Sequence, residues 1–361
     1  MSKKSVRVLV VDDSALMRKL IPQMLAGDES IDVVGTAMDG SFCLKKMEEL
    51  KPNVITLDLE MPGMNGIDTL KEIMRREPVP VIVFSSHSTD GASVTMKALG
   101  LGAFDFVTKP KDASAHMAET AKELIAKVKA AAECKLKPRM LAGIPAKPQK
   151  AAAPAGAPTK VVAIGVSTGG PQALEYLLSQ LPGDFPGAIA IVQHMPDGFT
   201  DMFARRLDEQ SALRVKEAQS GDLLQPGRVL ICPGSRHMKV KRLPMGDVVV
   251  LTDDPRVNGH RPSADVLLRS VAEEFHSHAV GVLMTGMGDD GAEGMGAIKK
   301  EGGVTLAQSE DSCVVYGMPK AAIERGYALR VVGLDVMGAT LQALCGRNET
   351  GSGVRASRAG N

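Results

Sequence analysis

Tryptophan is absent from the 361 residues, and aromatic side chains make up only 3% of them. A chain so poor in flat rings has little with which to stack nucleobases. No sign of charge predominates either: 43 Lys+Arg against 42 Asp+Glu leave a net charge of +1, which offers no field for nucleic acid or an anionic membrane surface. There is no run approaching the ~20 apolar residues that span a bilayer. Met1-Ser2-Lys3-Lys4-Ser5 leads straight into a strand-like run ending at Asp12-Asp13, without the apolar segment and cleavage site of a signal peptide. The five cysteines (Cys43, Cys134, Cys232, Cys313, Cys345) are odd in number, far apart and free of CxxC spacing. That excludes a disulfide framework or structural zinc site and predicts free thiols in a cytoplasmic protein. The phosphate-loop lysine of GxxxxGK(S/T) and the GxGxxG spacing are also missing, as is a helix-turn-helix candidate.

What is present reads as α/β. Apolar residues are 44% and charged residues 24%, ordinary for globular proteins, and the length suggests two or three domains. Strand-like runs at 6–11, 31–37, 54–59, 79–84 and 103–108 alternate with helix-periodic segments such as 14–25 and 66–76. Five strands with helical crossovers predict a parallel sheet covered on both faces, with a site at the carboxyl ends of its strands. Those ends carry Asp12-Asp13, Asp58, Ser85-Ser86 and Lys109-Pro110. Three neighbouring carboxylates repel unless a cation sits between them, and hard oxygen ligands suit Mg²⁺. A hydroxyl and an ammonium across the pocket suit a transient anion. The plainer alternative has the aspartates capping the next helix and pairing with Lys109.

Over about residues 5–130 the chain resembles the receiver domain of bacterial two-component response regulators. The resemblance rests on Val10-Val11-Asp12-Asp13-Ser14, on 57–66 (Leu57-Asp58-Leu59-Glu60-Met61-Pro62-Gly63-Met64-Asn65-Gly66), on Phe84-Ser85-Ser86 and on Phe106-Val107-Thr108-Lys109-Pro110. It implies that Asp58 is the phosphoacceptor, and that Asp12, Asp13 and Asp58 with the backbone carbonyl of Glu60 hold Mg²⁺. It further implies that Ser85 turns its hydroxyl toward the phosphoryl group, Lys109 counters its charge and Phe106 changes its packing. The expected phosphodonor is a histidine kinase.

Residues 117–132 predict a closing helix. The Pro/Ala/Gly/Lys-rich stretch that follows cannot bury a core and reads as a linker. The expected division is a receiver over 1–134, a flexible linker over 135–159, a second domain over 160–346 and a disordered tail over 347–361. In the second domain strand candidates lie at 161–164, 188–193, 229–231, 280–284, 304–307 and 329–332. A hairpin-like pair at 237–241 and 247–252 suggests a mostly parallel sheet with a hairpin at one side.

Val161 to Pro171 reads strand, sharp turn, helix start, with Gly165-x-Ser167-x-Gly169 in the spelling of a nucleophile elbow. A tight turn or phosphate cradle with Ser167 as helix N-cap fits the same residues. His194 ends the next strand, and Asp289-Asp290 follow a later one. A serine, a histidine and an aspartate at strand ends are the ingredients of nucleophile, base and orienting acid. Each also has a capping role open to it. The order Ser…His…Asp differs from that of the α/β-hydrolases, which points to another fold. Histidines 87, 116, 237, 260, 276 and 278 carry no catalytic expectation.

Residues 160–345 resemble the catalytic domain of chemotaxis protein-glutamate methylesterases. The motifs are Ile164-Gly165-Val166-Ser167-Thr168-Gly169-Gly170-Pro171, Gln193-His194-Met195-Pro196, Cys232-Pro233-Gly234-Ser235-Arg236-His237-Met238, Gly259-His260-Arg261-Pro262-Ser263-Ala264-Asp265, the 283–291 segment and Val315-Tyr316-Gly317-Met318-Pro319. The resemblance implies a triad of Ser167, His194 and Asp290, a backbone N–H of Met287 for the oxyanion, and Thr168 beside the nucleophile. Asp289 stands where the pattern has a small or amide residue; Asp290 is chosen because it directly precedes Gly291-Ala292. It also implies hydrolysis of glutamate methyl esters and deamidation of glutamines on methyl-accepting chemoreceptors, with no cofactor for the ester step. The joined receiver is expected to cover the active-site mouth until Asp58 is phosphorylated. A receiver with a non-enzymatic, protein-binding output domain is the alternative.

Overall fold

A computed structural model describes residues 5–86, 88–109, 117–134, 150 and 156–346. Most of the expected linker, the expected tail, Pro110, His87 and His116 lie outside the described residues.

The first unit runs β1 (Val6–Val11), α1 (Ala15–Leu25), β2 (Ile31–Ala37), α2 (Gly40–Leu50), β3 (Val54–Asp58), α3 (Gly66–Arg76), β4 (Val81–Ser85), α4 (Thr89–Gly100), β5 (Asp105–Thr108) and α5 (Met117–Glu133). Its five strands are parallel in the order β2-β1-β3-β4-β5. β3 and β4 are buried along their whole length, as continuous apolar runs in a doubly covered sheet must be. The helices form for local reasons too. In α3, Asn65 caps Asp68 N–H, Ile67, Leu70 and Ile73 share the buried face, and Arg75 and Arg76 sit at the carbonyl end.

The second unit runs β6 (Val161–Val166), α6 (Gly170–Ser179), β7 (Ala188–Gln193), α7 (Phe199–Gln210), β8 (Arg214–Glu217), β9 (Arg228–Ile231), β10 (His237–Leu243), β11 (Gly246–Thr252), α8 (Ala264–Phe275), β12 (Ala279–Leu283), α9 (Ala292–Lys300), β13 (Val304–Gln308), α10 (Met318–Glu324), β14 (Arg330–Val332) and α11 (Leu334–Cys345). Seven strands form one parallel sheet, in the order β14-β13-β12-β6-β7-β9-β8. β10 and β11 pair antiparallel as a separate two-stranded sheet, so the hairpin stands apart from the parallel sheet. β8 was not expected. It is a four-residue edge strand of sequence RVKE, too short and polar to register as a run.

Alternation along β6 and β7 divides the core. Val162, Ile164, Val166, Ile189 and Ile191 face α6, α7 and α11, while Val161, Ala163, Ala188, Ala190 and Val192 face α8, α9 and α10. The buried cluster on the α6/α7 side continues into the first unit. There the Phe106 and Phe199 rings stack with centroids 4.8 Å apart, Gln172 Nε2 donates to Ala103 O at 2.5 Å, and α4 lies against α7.

Candidate active site

β12, β6 and β7 are neighbours in the sheet, and the strands that follow β6 in the chain are laid down first on its β7 side and then, from β12 on, on its other side. Such a reversal opens a crevice at the carboxyl ends of the strands. Ser167 follows β6, His194 follows β7, and Asp290 follows β12 by seven residues.

None of the three caps, through its side chain, the helix that follows it. The N-caps of α6, α7 and α9 are Gly169, Gly198 and Gly291, each at positive φ. The glycines turn the chain sharply and leave the side chains before them free to serve a site. Ser167 is pinned through its backbone: its N–H donates to Thr285 O (3.0 Å), and its carbonyl accepts from Gly170 N–H (2.8 Å) and Gln193 Nε2 (3.0 Å). Gln193 Nε2 also donates to His194 O (3.1 Å), so one buried amide ties the backbones of both residues. The β12 loop must pass close to the serine, because a Cβ added at Gly286 would lie 2.8 Å from Ser167 Cβ. Met287 follows in this loop. Thr168 is buried, with its carbonyl accepting from Thr285 Oγ1 at 2.9 Å.

His194 Nε2 lies 2.8 Å from Asp290 Oδ2. The carboxylate only accepts, so Nε2 donates to it, and in the neutral ring Nδ1 keeps the lone pair. Nδ1 is buried and has no hydrogen-bond partner among the described residues. Asp290 is held at the start of α8: Ser263 Oγ (2.6 Å) and Asn258 Nδ2 (3.1 Å) donate to Oδ1, and Ala264 N–H (2.6 Å) donates to Oδ2. Burial raises the Asp290 carboxyl, but His194, Ser263 and the Ala264 amide outweigh it and hold the pKa well below the carboxylate range. Asp289 points elsewhere, into an exposed ion pair with Arg325 at 2.5 Å. Only the second aspartate of the pair meets the histidine.

Two supports were missed from sequence. The 259–265 segment, quoted for its resemblance, cradles Asp290 together with Asn258 just before it, and His260 stacks on His194 with ring centroids 3.9 Å apart. The Asn258-Gly259 pair, a strong turn signal, could have marked this segment as a built feature.

At the first sheet's carboxyl end, oxygens of Asp12, Asp13 and Asp58 lie within 4.8 Å of one another. Lys109 Nζ reaches Asp58 Oδ2 at 2.6 Å and Asp12 Oδ2 at 3.3 Å. Asp12 Oδ2 is nevertheless buried without a hydrogen bond. Burial raises the Asp12 carboxyl, and Asp58 adds to this against the pull of Lys109. An orphaned carboxylate oxygen within a set of hard donors fits a divalent cation. Ser14 caps α1, and Asp12 Oδ1 accepts from Ser14 N–H at 2.9 Å, so the plainer capping role belongs mainly to the serine. Glu60 donates its N–H to Asp58 Oδ1 (3.1 Å), but its carboxylate stands outside the cluster and accepts from Ser86 Oγ (3.1 Å). Ser85 faces α4, where Thr95 Oγ1 donates to its hydroxyl at 2.6 Å.

Comparison with known proteins agrees with this architecture. Residues 162–341 match the CheB methylesterase family, and residues 8–121 match the response regulator receiver domain family. A protein-glutamate methylesterase/protein-glutamine glutaminase from Koribacter versatilis is 59% identical over 344 residues, covering 92% of this chain and 94% of that protein. One from Symbiobacterium thermophilum is 46% identical over 344 residues, covering 91% and 94%. The crystal structure of the Thermotoga maritima CheB methylesterase catalytic domain, 42% identical, superposes with a TM-score of 0.51 and covers 51% of this chain and 98% of that one. The chain belongs to the CheB methylesterase family, as a member that joins a response regulator receiver to the methylesterase domain.

Proposed function

We propose that the chain is a phosphorylation-regulated serine esterase that removes methyl groups from glutamate methyl esters on methyl-accepting chemoreceptors, and deamidates glutamines there. The relatives' names supply the reaction class. The observation that carries the assignment of residues is the His194–Asp290 bond, which in the neutral imidazole leaves Nδ1 as the acceptor; Nδ1 is buried and has no hydrogen-bond partner among the described residues.

Ser167 Oγ attacks the ester carbonyl, and its proton passes to His194 Nδ1. Asp290 balances the imidazolium through Nε2 and keeps the tautomer fixed. The tetrahedral oxyanion is met by the backbone N–H of Met287, with Thr168 adjacent; a donor of this kind is worth roughly 3 kcal/mol. The imidazolium returns its proton to the leaving oxygen, and methanol departs. Water, deprotonated by the same nitrogen, then hydrolyses the acyl-enzyme to the carboxylate and free Ser167. A glutamine side chain follows the same course and releases ammonia.

In the receiver, Asp58 would accept a phosphoryl group from a histidine kinase. Asp12, Asp13, Asp58 and the carbonyl of Glu60 would hold Mg²⁺, which offsets phosphate charge when bound. Lys109 would pair with the phosphoryl oxygens, and Ser85 would leave Thr95 to meet them. The phosphoryl group carries roughly −1.5 to −2 and replaces the carboxylate's own charge, so the site gains about one negative charge or less together with three acceptor oxygens. Phe106 lies on Phe199, five residues beyond His194 in the chain, so repacking of Phe106 acts directly on the helix that follows the base. Occlusion of the mouth by the resting receiver is the reading this contact supports. No helix among the described residues is long and apolar enough to cross a membrane, in keeping with a cytoplasmic enzyme acting on the receptors from that side. A non-enzymatic output domain is not favoured by the family match.

The test is methanol release from methylated receptor membranes. Ser167→Ala should lower the rate by roughly 10³-fold or more. A wild-type rate in that variant would sink the assignment.

A further inference from the structure

The His260 ring has no part in the proton transfers, yet it lies parallel to the His194 ring, with planes 9° apart and centroids at 3.9 Å. It is delivered by a tight turn closed by a pair of backbone bonds. Val257 N–H donates to His260 O (3.0 Å), and His260 N–H donates to Val257 O (2.9 Å). Asn258 and Gly259 between them take φ of 53° and 78°. The turn therefore does not depend on the imidazole at position 260. The same turn places Asn258 Nδ2 on Asp290 and, at 2.8 Å, on Asp265 Oδ2. Four consecutive residues thus touch both the acid and the base.

Burial, helped by His194 and Arg256 and opposed by Asp290 and Asp289, pushes His260 down to about 4. It is uncharged near neutral pH and sets no second cation against His194 when that ring takes a proton. The bond to Asp290 fixes only one atom of the His194 ring. The torsion about its Cβ–Cγ bond has a broad well, so the ring can still pivot about that anchor and swing Nδ1. A flat plate against the ring face blocks the pivot.

We infer that His260 is a positioning residue for the esterase reaction: packed parallel on His194, it fixes the plane of that imidazole and so the direction in which Nδ1 points. This rests on the proposal that His194 is the base.

The test uses the full chain with His260→Ala, His260→Gln and His260→Phe. Loss of the plate in the first two should lower kcat roughly 10- to 100-fold with KM changed less than about twofold, because a misdirected base spoils the chemical step rather than binding. Phenylalanine keeps a flat ring of similar size and should restore most of kcat. A second readout needs no turnover. With Ser167→Ala as background, the downfield proton resonance of the His194–Asp290 bond should broaden with alanine or glutamine at 260 and stay sharp with phenylalanine. Unchanged kcat in both plate-less variants would overturn the inference. So would equal loss in the phenylalanine variant with the resonance still sharp, since the nitrogens rather than the plane would then matter. A failure of the serine-esterase reading itself would instead appear as turnover surviving in Ser167→Ala.

Discussion

Asp12 and Asp290 are both buried carboxylates following parallel strands, and their surroundings push them in opposite directions. Asp290 has a hydroxyl, an amide side chain, a helix-terminal N–H and an imidazole N–H aimed at it. That set replaces the lost hydration, and the charged form is favoured. Asp12 has one amide N–H on Oδ1, Lys109 3.3 Å from Oδ2, and a second carboxylate close by. Its native carboxyl is raised, so the ionised form costs stability, and the cost grows as pH rises through the native pKa. Asn at this position keeps the acceptor for Ser14 N–H and removes the buried charge. Asp12→Asn should therefore raise the melting temperature of the receiver at neutral pH in the presence of a chelator. It should also abolish the added stabilisation that wild type gains from Mg²⁺. Thermal denaturation with chelator and with millimolar Mg²⁺ checks both; a variant that still gains the full Mg²⁺ increment would show that Asp12 is not a ligand.

The elements that hold the site were unequally legible. β1, β2 and β7 have the bounds read from their apolar runs, and the chemistry-bearing residues at the ends of β1 and β7 stand where alternation of strand and helix puts them. Strands buried on both faces announce themselves as uninterrupted Val, Ile and Ala. β8 did not, because Arg214, Lys216 and Glu217 dilute its one buried residue, Val215. The cradle at the start of α8 was invisible for another reason. Ser263 and Ala264 reach a carboxylate 27 and 26 positions away, and no local period encodes that meeting. The pinning of the nucleophile loop was equally hidden. Gly286 reads as a turn glycine, yet its φ is not what demands it; the demand is space, since a Cβ would sit 2.4 Å from Met318 Sδ as well as 2.8 Å from Ser167 Cβ. Gly286→Ala should push the β12 loop off the serine, costing about 1–3 kcal/mol in stability from overpacking. It should also cut kcat by roughly 100-fold through displacement of Ser167 and Met287. Chemical denaturation and methanol release measure the two effects, and a fully active Gly286→Ala enzyme would mean the loop has slack that the close approach denies.

At the scale of the whole chain, the first turns of α6 and α7 begin just after Ser167 and His194, and both meet the receiver. Gln172 donates to Ala103 O, and Phe199 takes the Phe106 ring. Further along α7, the Arg206 guanidinium is paired with the buried Glu175 of α6 and lies against Gly100, the last residue of α4. A Cβ at Gly100 would fall 1.9 Å from Arg206 Nη2. An arginine free in solvent would step aside. This one is tethered by Glu175, so the collision is relieved more readily by parting the units than by moving the side chain. Within α4 itself the change from glycine to alanine favours the helix by up to about 1 kcal/mol. Gly100→Ala thus strengthens the receiver while wedging its contact with the esterase. If that contact restrains the enzyme, the unphosphorylated variant should release methanol several-fold faster than wild type. A small-molecule phosphodonor should then add little more, while phosphorylation of Asp58 proceeds at its usual rate. Basal activity equal to wild type, with the full response to phosphodonor retained, would show that activation does not pass through this interface.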